Sequence, residues 1–127
     1  MREQDVYAVV GQEGFERLVQ AFYRRVPQDS ILGPMYPEDD WKGAEDRLRD
    51  FLIYRFGGPQ KYIAERGHPR LRMRHAPFPI DQSARDRWIQ LMEMAFEESN
   101  WDPQAASIVK QFFAHMATFL INAEESH

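Results

Sequence analysis

Apolar residues recur along this chain at helical rather than strand spacing. Between positions 12 and 26, Phe15, Leu18, Val19, Phe22, Tyr23 and Val26 follow an i, i+3, i+4, i+7, i+8, i+11 pattern that Pro27 stops. This predicts a first long helix with one buried stripe. A short turn through Ile31 and Leu32 leads to PEDD at 37–40, whose carboxylates suit the positive end of a helix dipole. The helix opened there carries Trp41, Ala44, Leu48, Phe51, Leu52 and Arg55 on one face and ends at Gly57-Gly58-Pro59.

Residues 59–76 are punctuated by Gly and Pro and show no sustained stripe, which predicts a helical turn, a loop and a stub of helix. Regular helix resumes beyond Pro77 and Pro79, with Asp81 as N-cap and Ala84, Trp88, Leu91, Met92 and Ala95 facing inward. SNWDP at 99–103 breaks the chain again, Asp102 capping and Pro103 taking the first helical position. Ala106, Val109, Phe112, Phe113, Met116 and Leu120 mark the last helix. The expectation is an all-α protein of one domain, residues 1–127, with four substantial helices.

Composition narrows the chemistry. The chain has 127 residues, 43% hydrophobic and 28% charged, which suits a packed core rather than disorder. It has no cysteine, so disulfides, thiolate metal ligands, iron–sulfur clusters and covalent haem attachment through CxxCH are excluded together. Any metal must be held by His, Met, Tyr or carboxylate. The apolar run in MREQDVYAVV is too brief for a signal peptide, and no stretch approaches membrane-spanning length, so a cytoplasmic location is expected, without a membrane partner.

Four arginines and two histidines crowd residues 66–75 of a chain whose formal net charge is −4. Setting those arginines aside leaves 16 − 4 = 12 basic against 20 acidic side chains, which argues against general nucleic-acid binding. The patch calls for a local anion.

Polar aromatics also stand inside the stripes. Tyr23, Tyr36 and Trp88 each bring a donor that needs a partner when buried. Taken singly, each is ordinarily satisfied by a backbone carbonyl. Taken together, beside Ala44 where a larger residue would fit, they predict a cavity with polar groups pointing into it. His75 lies among Met73, Ala76, Phe78 and Ile80 with prolines on its C-terminal side. It reads either as a satisfied core histidine or as a metal ligand, and the arginines before it favour a partner that is anionic at its edge and apolar in its body. Haem fits that description. His68 reads as a surface or propionate-facing group, His115 as partly exposed, and His127 as terminal.

The runs YPEDD at 36–40, Gly43-Ala44-Glu45, FGGP at 56–59, GHPRLRMRHAPFPI at 67–80 and RDRW at 85–88 together resemble the group II truncated haemoglobins. The resemblance implies a two-over-two helical sandwich around a noncovalent haem b, with His75 as the proximal iron ligand. It implies a distal trio of Tyr23, Tyr36 and Trp88 as the reactive-side residues. Ala44 then stands where many globins place a distal Gln or His, Leu48 and Phe51 cover the haem face, and Met92 lines the pocket. Arg47 and Arg74 match propionate partners, with Arg72, Tyr62 and His68 as further candidates. One departure is Gly11-Gln12, where the family often has two glycines between its first helices.

These groups predict binding of dioxygen and other diatomic ligands, with the Trp88 indole and a tyrosine hydroxyl both donating to the ligand and slowing its release. Slow release suits reaction with nitric oxide or peroxide, supported by an unidentified reductase, better than bulk transport. Whether such turnover makes the chain an enzyme is open. The competing reading is a haem-free helical module that binds nucleic acid or a phosphorylated ligand through Arg66, Arg70, Arg72 and Arg74. A sensor would need an output domain for which the chain has no room. Trp41 and Trp101 are candidates for a small homodimer patch.

Overall fold

A computed structural model describes residues 1–60, 75 and 78–124. Among them lie four α-helices: α1 (Val6–Arg25), α2 (Trp41–Arg55), α3 (Gln82–Ser99) and α4 (Pro103–Phe119). Short 3-10 turns span Glu3–Asp5, Val26–Gln28 and Gly33–Met35. No strand occurs among the described residues. Helix α1 packs chiefly against α3 and α2, and α3 packs against α4. The inner faces meet in a core of Phe15, Leu18, Phe22, Leu52, Phe56 and Met92, all effectively sealed from solvent. Burying each such side chain is worth about 1.5–3 kcal/mol.

The predicted stripes supply this core with few exceptions, and the main difference is at the start of α1. Helix begins at Val6 rather than near residue 12, and it changes direction at Gly11, whose φ of 68° and ψ of 175° lie outside the helical region. Val6 is fully buried and the Tyr7 ring stacks on Phe15 at 6.3 Å, so the short segment before the bend has its own place in the core. A Cβ at Gly11 would meet no atom within 4 Å, which leaves backbone conformation as the reason for glycine there. One glycine therefore makes the bend, and Gln12 simply continues the helix.

The second glycine with a specific task is Gly57, at φ 95°, where a Cβ would collide with the Gln4 carbonyl. This lets the N-terminal segment cross the end of α2, and the Tyr7 amide donates to the Phe56 carbonyl at 3.0 Å. Both predicted caps form: Asp81 Oδ1 accepts from the Ala84 amide at 2.9 Å, and Asp102 Oδ2 accepts from the amides of Gln104 and Ala105. No helix of the described residues is long and apolar enough to cross a membrane.

Trp101 is a correction. It was expected as part of an exposed dimer patch, but it is 7% exposed, its indole N–H donates to the Gly14 carbonyl at 2.8 Å, and its ring meets Phe15 and Phe96 edge-on. The αL conformation of Asn100 turns the chain inward at the end of α3 and so carries the indole into the core.

Candidate functional site

The three polar aromatics come from distant parts of the chain and meet. Tyr23 is near the end of α1, Tyr36 follows the 3-10 turn Gly33–Met35, and Trp88 lies in the first half of α3. The Tyr23 and Tyr36 rings are 5.9 Å apart and nearly perpendicular. Phe22 sits against both Tyr23 and Trp88, at 5.0 and 5.1 Å. Tyr23 and Trp88 are both electrostatically coupled to the Tyr36 hydroxyl, which stands on the accepting side of each pairing. The backbone carbonyls that would satisfy these groups one at a time are not their partners; they satisfy one another.

A tyrosine oxygen accepts two hydrogen bonds and donates one. With Tyr36 on the accepting side of its pairings with Tyr23 and Trp88, its own proton is the one it has to offer. Two donors on the oxygen polarise its O–H and make it a stronger donor.

Both tyrosines lie deep in the fold, yet each keeps some accessible surface, as does Trp88. Desolvation raises the pKa of Tyr23, and its bond to Tyr36 adds to the effect. Desolvation also raises that of Tyr36, outweighing the opposing bonds from Tyr23 and Trp88. Both phenols are therefore neutral donors throughout the physiological range.

The loop carrying Tyr36 is tied to the helix carrying Trp88 by a pair that sequence reasoning missed. The Asp29 side chain is 4% exposed, accepts from the amides of Ile31 and Leu32 at 3.1 and 2.9 Å, and is bridged to Arg87 Nε. Desolvation works to raise its pKa, but the bonds from Leu32, Arg87 and Ile31 outweigh it and hold the carboxyl below its ordinary range. Local spacing carries no sign of this bridge, since Asp29 reads as turn and Arg87 as helix surface.

On α2, Ala44 and Phe51 are buried and Leu48 is half-buried, making the expected apolar run. Phe51 lies 6.1 Å from Phe112, which stands edge-on to Phe56 at 5.3 Å. Met92 is 1% exposed and belongs to the core cluster. Arg47 projects at the surface and pairs with Asp40 at 3.0 Å. His115 is exposed, as expected. Tyr62, Arg66, His68, Arg70, Arg72 and Arg74 lie outside the described residues.

His75 is half-buried, and its main chain is held from the C-terminus. Asn122 Nδ2 donates to the carbonyls of His75 and Phe78 at 3.2 and 2.9 Å, while Asn122 Oδ1 accepts from the Ile80 amide at 2.8 Å. Asn122 is another residue the sequence reading did not single out. A surface groove of about 570 Å³ between α3 and α4, lined in part by Phe96, Asn100, Trp101 and Lys110, contains none of the predicted site residues.

Among the described residues, no group of three or more His, Cys, Asp or Glu could hold a bare metal ion. A single imidazole with apolar side chains and neutral donors instead suits a metal delivered inside an organic macrocycle that supplies the remaining ligands. The residues present therefore fit haem.

A bacterial-like globin family model matches residues 5–122. The chain belongs to that family, in its group II truncated haemoglobin branch. It is 32% identical over 120 residues to the group 2 truncated hemoglobin YjbI of Bacillus subtilis (strain 168), covering 94% of this chain and 90% of that one. Among solved structures, the hemoglobin of the thermophilic phototroph Chloroflexus aurantiacus is 41% identical with a TM-score of 0.88, over 92% of this chain and 97% of that one. The truncated oxygen-avid haemoglobin of Bacillus subtilis is 32% identical with a TM-score of 0.87, over 92% and 98%. The cofactor of the family is haem iron, usually as haem b. These comparisons lend no support to the haem-free nucleic-acid module.

Proposed function

We propose that this chain binds dioxygen at ferrous haem, releases it slowly, and uses the retained ligand in redox chemistry with nitric oxide or peroxide rather than in bulk transport. The observation that carries the proposal is the meeting of Tyr23, Tyr36 and Trp88, with the two tyrosine rings 5.9 Å apart and Phe22 against both Tyr23 and Trp88; in this reading the Tyr36 O–H is the group left to donate. Haem iron held by one imidazole supplies an open coordination position for a diatomic ligand. In this reading His75 is that imidazole, and Asn122 restrains its backbone.

The residues of the pocket do the rest. Tyr36 donates to the ligand, Tyr23 and Trp88 orient and polarise Tyr36, and Ala44, Leu48 and Phe51 keep bulk water away. A hydrogen bond to an acceptor carrying charge is worth about 1.5–3 kcal/mol, or about 10- to 100-fold in retention. The description of the Bacillus subtilis relative as oxygen-avid agrees with this reading. Arg47 is a propionate partner in the same proposal, exchanging Asp40 for the haem edge.

Stopped-flow oxygen dissociation from wild type, Tyr36→Phe, Trp88→Phe and Tyr23→Phe tests the arrangement. Tyr36→Phe should accelerate release by about 10- to 100-fold, and the other two by less, because they act through Tyr36. Unchanged release from Tyr36→Phe rules the arrangement out. A His75→Ala protein that still gives a sharp five-coordinate ferrous spectrum rules out the ligand assignment.

A further inference from the structure

We infer that Trp41 is a surface oxidation site, through which oxidising equivalents generated in the pocket by hydrogen peroxide reach electron donors too large to enter. The inference rests on the peroxide branch of the proposed function. It starts from an aromatic contact that oxygen binding does not require. The Trp41 ring lies 5.4 Å from that of Tyr36, with the planes tilted by only 33°. Trp41 is half-buried at the first position of α2, so the pair runs from the hydrogen-bonded trio to the surface in a single step.

Phenol and indole lose an electron at similar potentials, whereas a benzyl side chain is far harder to oxidise. A route made only of Tyr and Trp can therefore carry a hole by successive short transfers, and a Phe in the path is a barrier. Every other route from the trio to a second Trp or Tyr passes through phenylalanine among the described ring contacts. Trp88 meets Phe113 and Phe22, Phe113 leads to Phe96, and only then does Trp101 follow. Trp101 is also buried and offers no donor access. Tyr36 to Trp41 is the direct exit.

The electrostatics beside Trp41 select the donor. Glu38 and Asp39 are exposed, and neither forms an ion pair among the described residues. Asp40 is paired with Arg47, and Lys42 with Glu45 and Asp46. Carboxylates two and three residues before Trp41 in the chain favour an indole radical cation over the neutral ring and draw cationic donors towards that end of α2. The expected substrate class is a bulky cationic phenol.

The electron balance is that of two one-electron oxidations per peroxide: H2O2 + 2 ArOH → 2 H2O + 2 ArO•. For each equivalent, Tyr36 gives an electron to the oxidised pocket and its hydroxyl proton to the oxygen being reduced to water. Trp41 then returns an electron to Tyr36, with a proton taken back from solvent. The surface phenol reduces Trp41 and releases its own proton to solvent.

The test uses haem-loaded protein, hydrogen peroxide and a lysine–tyrosine–lysine peptide as the bulky donor. Without peptide, mass mapping of the peroxide-treated wild type should find oxidised Trp41 well ahead of oxidised Trp101. With peptide, dityrosine fluorescence should appear, be lost in Trp41→Phe, and return in Trp41→Tyr, while the haem-loaded forms of all three react at the same rate with a single equivalent of peroxide before peptide is added. Peroxide consumption with Trp41 unmodified, or peptide oxidation by Trp41→Phe at the wild-type rate, overturns the inference and leaves the peroxide reading standing. If the wild type consumes peroxide no faster than free haemin, the peroxide reading itself fails and the inference falls with it.

Discussion

Replacing Asp29 by asparagine should loosen the bridge between the Tyr36 loop and α3. In the native protein one carboxylate holds the Ile31 and Leu32 amides and the Arg87 guanidinium. Asparagine keeps one acceptor oxygen and presents an NH2 group where a second acceptor is needed, so at least one amide or Arg87 loses its partner. Hydrogen bonds to a charged group contribute about 1.5–3 kcal/mol each, and breaking a buried ion pair on one side costs about 3–5 kcal/mol. Arg87 is 35% exposed and can turn to water, and Asp29 is covered but shallow, which reduces the loss to about 2–3 kcal/mol.

The pH dependence has a definite sign. The carboxyl of Asp29 is held below its ordinary value, so its contribution is fully present above the unfolded pKa of about 4 and is lost as pH falls through the lower folded value. Urea unfolding of wild type and Asp29→Asn, followed by tryptophan fluorescence at pH 7 and at stepwise lower pH through the folded value, should show a gap that narrows below the unfolded pKa and closes below the folded one. The same bridge aligns Tyr36 with Trp88, so the variant should also release oxygen faster at neutral pH. A gap under about 0.5 kcal/mol at pH 7, or an equal gap at both pH values, refutes the reasoning.

Removing the Asn122 amide with Asn122→Ala deletes three hydrogen bonds at the His75–Ile80 segment. At this exposed position the loss should be about 1–2 kcal/mol, with faster haem transfer to an acceptor apoglobin; an unchanged transfer rate would exclude a restraining role. Gly11→Ala forces a side chain into a backbone region reserved for glycine and should cost about 1–3 kcal/mol in urea unfolding, although no neighbouring atom is displaced. Tyr23 and Tyr36 ionise above the ordinary tyrosine value, so the stability of keeping them neutral is present below about pH 10 and lost as pH rises through their folded values. Absorbance titration should show a late-ionising class that shrinks in Tyr23→Phe and Tyr36→Phe, and a class unaffected by both changes would contradict the burial of these phenols.

Helix identity was legible in the sequence because its determinants are local. The spacing from Phe15 to Val26 is a one-turn repeat, and Asp81 and Asp102 cap amides two or three residues away. That Tyr23, Tyr36 and Trp88 bring polar atoms to half-buried positions was legible too, because Tyr23 and Trp88 fall on apolar stripes and Tyr36 follows an apolar corner. Only the tertiary structure decided how those atoms pair. The convergence on Tyr36, the Asp29–Arg87 bridge, the hold of Asn122 on His75 and the burial of Trp101 all join residues from separate elements. A hydrogen bond of that kind depends on where two packed helices or turns stand relative to each other, and that relation is set by the whole core rather than by the spacing within either one.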